Sequence, residues 1–181
     1  MVIYFCTTNR NKFLEYKEIL SKFGVQIRML KIKLIEIQAK NLEEVATFKA
    51  NLAFKIVKKP VIVEDAGLFI KALNGFPGVY SSFVFKTIGN DGILKLMKNV
   101  KDRTAKFRAV IAFRNKKGTF LFKGECKGRI AFKKRGKSGF GFDPIFIPYK
   151  STQTFAENSE LKNRISHRRK ALEKFVKFLK K

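Results

Sequence analysis

Apolar residues fall in short runs separated by amphipathic stretches, and this alternation predicts an α/β chain. Val2–Cys6 is an apolar, partly β-branched run of strand length. After Asn9, an N-cap residue type, Phe13, Tyr16, Ile19, Leu20 and Phe23 recur at helical spacing, predicting a helix that ends near Gly24. Val25–Ile37 alternates loosely and reads as strand with connecting segments. Over Asn41–Lys59, Leu42, Val45, Ala46, Ala50, Ala53 and Val57 return every three or four positions, a second helix that Pro60 stops. Val61-Ile62-Val63 is then a buried strand delivering Glu64-Asp65 at its C-terminal end.

The second half has the same grammar. Asn74-Gly75-Phe76-Pro77-Gly78 is turn-rich, and Asp91–Lys98 is helical. Ala105–Arg114 and Thr119–Cys126 form a hairpin across the Asn115–Gly118 turn. Ser138–Gly141 is a loop and Ile145–Ile147 a short strand. From Asn163 a final helix docks Ile165, Leu172, Phe175, Val176 and Leu179 inward and turns its basic residues to water. No repeat or linker interrupts this, so the expectation is one domain over residues 1–181.

Composition narrows the class. At 45% hydrophobic residues with 20 Phe, the chain has the material for a packed core and is not generally disordered. No apolar run reaches the ~18 residues that span a bilayer. Met1–Cys6 is too short for a signal-peptide core. Cys6 and Cys126 cannot build a disulfide framework and have no metal-ligand spacing. A reduced, cytoplasmic protein without a membrane role is expected.

Charge adds a second theme. Forty Lys and Arg face 14 Asp and Glu, a formal balance of +26. The excess is +7, +7 and +12 over residues 1–60, 61–120 and 121–181, with an acid-free cluster from Lys127 to Lys137. Such a chain attracts polyanions: nucleic acid, anionic lipid or a phosphorylated small substrate. No zinc-finger spacing, basic-region heptad or RNP-type strand is present, which leaves nucleic-acid affinity as a side property.

Four segments carry candidate chemistry. Thr7-Thr8-Asn9-Arg10-Asn11-Lys12 runs from strand into helix, where free N–H groups and Lys12 favour an anion; an ordinary capped helix start has the same form. It is not a Walker A sequence. Glu64-Asp65 at an apolar strand, with Glu36 as a third carboxylate, suits Mg²⁺ held jointly with substrate phosphates, or acids paired with lysines. Gly139-Phe140-Gly141-Phe142-Asp143-Pro144 offers either two rings and an acid for a nucleobase or a core strand with a turn. Ser166-His167-Arg168 holds the only His, either structural or set to meet a phosphate or a base carbonyl.

In this order, the segments resemble the inosine triphosphate pyrophosphatase family. The match extends through Glu36-Ile37-Gln38, Val63–Leu68, Asn74–Ser81, Phe140–Phe146, Thr154-Phe155-Ala156-Glu157 and Lys162–Arg168, and so covers essentially the whole chain. The resemblance implies an elongated α/β fold with a long mixed β-sheet flanked by helices, two lobes with a central nucleotide-binding cleft, and a homodimer. It implies Mg²⁺-dependent hydrolysis of ITP, dITP and XTP between the α and β phosphorus, giving monophosphate and pyrophosphate. By position, Thr7, Thr8, Asn9 and Lys12 hold the triphosphate, with Lys49 adding a contact. Glu36, Glu64 and Asp65 serve the metal, and Asp65 with Lys12 forms the catalytic pair. Phe140 and Phe142 sandwich the purine, and Asp143, Lys162, His167 and Arg168 surround it. The sequence departs from the family pattern at Ala66, where Ser or Thr is usual, at Phe142, where Trp or Tyr is usual, and at Ser82-Phe83, where many bacterial members carry Arg. Its charge is also higher than the family leads one to expect. The alternative is a basic nucleic-acid-binding protein on the same fold without catalysis.

Overall fold

A computed structural model describes residues 2–180. Six strands form one mixed sheet in the order β2-β1-β3-β4-β5-β6. They are β1 (Ile3–Cys6), β2 (Ile27–Leu30), β3 (Val61–Ile70), β4 (Thr104–Asn115), β5 (Gly118–Ile130) and β6 (Phe146–Pro148). β1 lies parallel to β2, with Ile3 opposite Ile27, and parallel to β3, with Tyr4 opposite Val61. β6 runs antiparallel to β5, with Ile130 opposite Phe146. The helices are α1 (Arg10–Ser21), α2 (Leu42–Val57), α3 (Ser81–Thr87), α4 (Gly89–Leu96), α5 (Ser159–Ile165) and α6 (His167–Leu179). The expected mixed α/β class is what the chain adopts.

Contacts gather into two compact units: residues 1–65, 109–124 and 168–181 in the first, and 66–108 and 125–167 in the second. In the first unit, Phe5 stacks on Tyr16 of α1 with ring centres 4.3 Å apart. Phe175 of α6 packs on Phe113 and Phe122 of the β4–β5 hairpin at 5.4 and 5.3 Å. In the second, Leu68, Ile70, Val84, Ile93, Phe107 and Phe146 centre a separate apolar cluster. Burial of each such side chain contributes roughly 1.5–3 kcal/mol.

Several expectations need correction. β3 continues to Ile70, so Glu64 and Asp65 lie inside a strand rather than at its exit. Residues 81–87 form the unexpected helix α3, and the next helix begins at Gly89 rather than Asp91. The final helical stretch is two helices, broken where Ser166 takes an extended backbone (ψ 164°). His167 and Arg168 open α6 and are buried, so its basic residues do not all face water. The buried Glu64 explains the difference at Arg168: it gives the guanidinium an ionic partner in the interior.

Candidate active site

The first unit holds a group of charges. α1 starts as its residue types require, with Asn9 Oδ1 accepting the Lys12 N–H at 3.0 Å and Thr7 Oγ1 accepting the Asn9 N–H at 3.1 Å. That cap leaves Thr8 exposed and sends Lys12 toward β3. Lys12 Nζ lies 3.4 Å from Glu64 Oε1. Glu64 has no exposed side-chain surface and also receives Arg168 Nε, at 3.2 and 3.0 Å from its two oxygens. Arg168 Nη1 in turn reaches Glu15 Oε2 at 3.2 Å. Burial alone would raise the Glu64 pKa, but Arg168 and Lys12 outweigh it and hold the carboxyl down at about 2. The same pairing, against the pull of burial, keeps Arg168 charged.

The neighbouring residue on β3 faces a different partner. Lys49, from the middle of α2, sets Nζ 2.9 Å from Glu36 Oε1 and 3.2 Å from Asp65 Oδ2. Burial, with the Glu36 charge beside it, raises the Asp65 pKa more than Lys49 and Lys12 lower it. Lys49 shows the converse: burial lowers its pKa, but Asp65 and Glu36 reverse the sign. The three predicted metal acids therefore divide. Glu36 and Asp65 meet at one cation, while Glu64 anchors Lys12 and Arg168. Among the described residues, no group of three or more His, Cys, Asp or Glu side chains gathers as a ready metal nest. Two carboxylates that converge on the Lys49 ammonium suit Mg²⁺, which commonly binds through one or two carboxylates and substrate phosphates. Lys49 marks where positive charge is wanted.

The second unit holds a flatter, more apolar group. The Gly139–Asp143 loop closes on its own carboxylate: Asp143 Oδ2 accepts the Phe140 N–H at 2.8 Å. A Cβ on Gly139 would lie 2.3 Å from that oxygen, and its φ of +74° also favours glycine. Lys162 of α5 meets the same oxygen at 2.7 Å in a fully buried ion pair, with its Nζ 4.6 Å above the Phe140 ring. Phe142 is buried against Phe85 at 5.4 Å, so it packs in the core and Phe140 is the ring near the surface. His167 stacks on Phe107 with centres 4.7 Å apart and planes 14° from parallel.

The remaining matched segments build the frame. Ser81 Oγ accepts the Leu68 N–H at 2.8 Å and donates to the Gly78 carbonyl at 2.7 Å. Gly67 touches that carbonyl so closely that a Cβ would lie 2.2 Å from it. Glu157 holds Arg135 at 2.7 Å and accepts the Thr154 N–H at the same distance. Sequence reasoning passed over Glu15 and read Tyr16 only as an apolar position, yet Glu15 pairs with Arg168 and Tyr16 helps lower the Glu64 pKa. The available signal was an acid one helical turn beyond Lys12 in a chain with few acids.

The model of the Ham1 family matches residues 3–178. The chain belongs to the Ham1 family. A Ham1 protein from Coxiella burnetii has the same fold at a TM-score of 0.87, with 33% identity over 99% of this chain and 98% of that one. The Staphylococcus aureus Ham1 protein superposes at 0.84 with 32% identity and the same coverage. The chain is 50% identical to the dITP/XTP pyrophosphatase of Saccharolobus solfataricus, over 96% of its own length and 91% of that protein's. It is 47% identical to the dITP/XTP pyrophosphatase of Methanopyrus kandleri, over 99% and 97%. Within this Ham1 protein, Lys12, Glu36, Glu64, Asp65 and the Phe140 loop fall on the segments that carried the resemblance, and Lys49 on α2 falls outside them.

Proposed function

We propose that this Ham1 protein hydrolyses deaminated purine nucleoside triphosphates (ITP, dITP and XTP) to the monophosphate and pyrophosphate. The observation that carries this is Lys49 held between Glu36 and Asp65 with Lys12 close by, in a chain similar over nearly its whole length to dITP/XTP pyrophosphatases. Phosphoanhydride cleavage needs charge neutralisation and an aligned water more than covalent chemistry. Lys12, Lys49 and the N–H groups at the start of α1, with Thr7, Thr8 and Asn9, bind the phosphates. Glu36 and Asp65 would hold Mg²⁺, which when bound neutralises phosphate charge. Asp65, its basicity raised by burial, takes a proton from the attacking water. The water oxygen bonds to the α phosphorus, and the bond from that phosphorus to the bridging oxygen breaks, releasing pyrophosphate.

Base choice follows from donors. A 6-keto purine accepts at O6, so donors on His167 and Arg168 welcome it; adenine presents an amino donor at that edge instead, a mismatch costing about 1–3 kcal/mol per group. Glu64 and Glu15 fix the Arg168 fork in its plane. Phe140 stacks on the purine, and the Asp143–Lys162 pair sets the loop. The protein works as a homodimer in the cytoplasm. A non-catalytic nucleic-acid-binding protein is not favoured, because the charged group that such a protein would not need is intact.

Product analysis tests the reading. Incubation with ITP, XTP, dITP, GTP and ATP, with and without Mg²⁺, should yield pyrophosphate from the first three and leave ATP nearly untouched. Orthophosphate as the first product, or no Mg²⁺-dependent turnover, would sink it.

A further inference from the structure

We propose that Phe132 is a stacking platform for single-stranded nucleic acid, set in a cationic strip outside the catalytic group. Phe132 follows β5 and is 85% exposed, the most exposed of the large hydrophobic side chains among the described residues. Leaving a Phe in water forgoes roughly 1.5–3 kcal/mol of burial, so what holds it there matters. Beneath it lies Arg103, itself only 8% exposed. Its Nε donates to the Ile130 carbonyl at 2.8 Å, Nη1 to Met97 at 2.9 Å and Nη2 to Ala131 at 2.8 Å. The guanidinium carbon sits 4.4 Å from the Phe132 ring centre. One ring face thus rests on a cation pinned to three backbone carbonyls, and the other is open to solvent. That is a rigid pedestal rather than a loose side chain.

The surroundings define the partner. Lys127, Lys133 and Lys137 are exposed along the same acid-free segment, residues 127–137. Lys134 and Arg135 are already paired with Asp91 and Glu157. At the far end of the strip Tyr149, 71% exposed, donates its N–H to the Lys127 carbonyl at 2.9 Å and carries Lys150 at 5.9 Å from its ring. Lys127 and Phe132 are five residues apart, at most about 16 Å along extended chain. Open aromatic faces combined with cations that track a backbone are what unpaired bases and phosphates bind. A duplex hides its base faces. A membrane wedge would need several apolar side chains, and residues 133–139 contain none. A second copy would bring this positive strip against another.

The test uses the full chain in EDTA and a labelled oligothymidylate of about 15 nucleotides, a pyrimidine strand that offers no keto-purine. Anisotropy titrations across a salt series should show salt-dependent binding stronger than to the matching duplex. Phe132→Ala should weaken it about 5- to 100-fold without changing the salt slope, and Phe132→Tyr should restore it. Lys133→Gln with Lys137→Gln should reduce the slope by about 1.4. ITP turnover by Phe132→Ala should equal wild type, which separates this inference from the catalytic reading. Four results would overturn it: Phe132→Ala binding the strand within about twofold of wild type, equal affinity for duplex, loss of binding to anionic phospholipid vesicles alone, or a change in sedimentation alone.

Discussion

Glu64 keeps its charge at full burial because two cations neutralise it, and the arrangement sets a pH dependence. Its carboxyl titrates at about 2 in the fold against an ordinary 4.5. A depressed carboxyl contributes stability that is present above the unfolded value and lost as pH falls toward the folded one. Acid titration of folding stability should therefore show a loss on the order of 3 kcal/mol between pH 4.5 and 2. Glu64→Gln should lose a comparable amount at neutral pH, because Arg168 and Lys12 would remain with the charge between them gone, and its acid loss should flatten. Denaturant melts of both proteins across that range would check the pair of effects. Asp65 next door has the opposite balance, since burial disfavours its ionised form. Asp65→Asn should accordingly keep its melting temperature while turnover falls about 10²- to 10⁴-fold. Retained turnover would remove Asp65 from the mechanism. Both residues were legible in the sequence as an acidic pair. Their separate partners were not, because alternation along a strand sends adjacent side chains to opposite faces.

The elements show where local pattern suffices and where it fails. α1 and α2 follow their capping residues and apolar spacing closely, with Asn9 and Asn41 each accepting an N–H inside its helix. Asn9→Ala should cost about 1 kcal/mol of stability. Because α1 is proposed to bind phosphates before and during reaction alike, KM should rise several-fold with kcat nearly unchanged; an unaltered KM would detach α1 from substrate. β3 outran its apolar run because neighbouring strands, not propensity, sustain Glu64, Asp65, Ala66 and Gly67 in extended form. The α5–α6 break has no Pro or Gly to announce it. Its cause lies in the two residues after Ser166, a buried His167 on Phe107 and a buried Arg168 on Glu64. Phe142 likewise reads as a binding ring by its spacing from Phe140, yet Phe85 covers it.

At the scale of the molecule, apolar side chains outside the two cores bear on assembly. Phe83 on α3 is 67% exposed and Ile88, which caps the end of that helix, 43%. A homodimer would cover such residues, so sedimentation equilibrium should return twice the chain mass; a single-chain mass across the working concentration range would reject it. Among the described residues, no helix is long and apolar enough to cross a membrane. The α/β class, the two long capped helices, the hairpin and the order of chemical segments were all present in the linear chain, because these depend on periodicity, capping and turn residues within a few positions of each other. Only folding in three dimensions determined that Glu36 and Asp65 share Lys49 while Glu64 serves Lys12 and Arg168. It also determined that Asp143 and Lys162 pair in a dry interior and that Arg103 props an exposed Phe132. Those pairings join residues from 13 to 104 positions apart in the chain. Their energies come from burial and from partners that no local pattern contains.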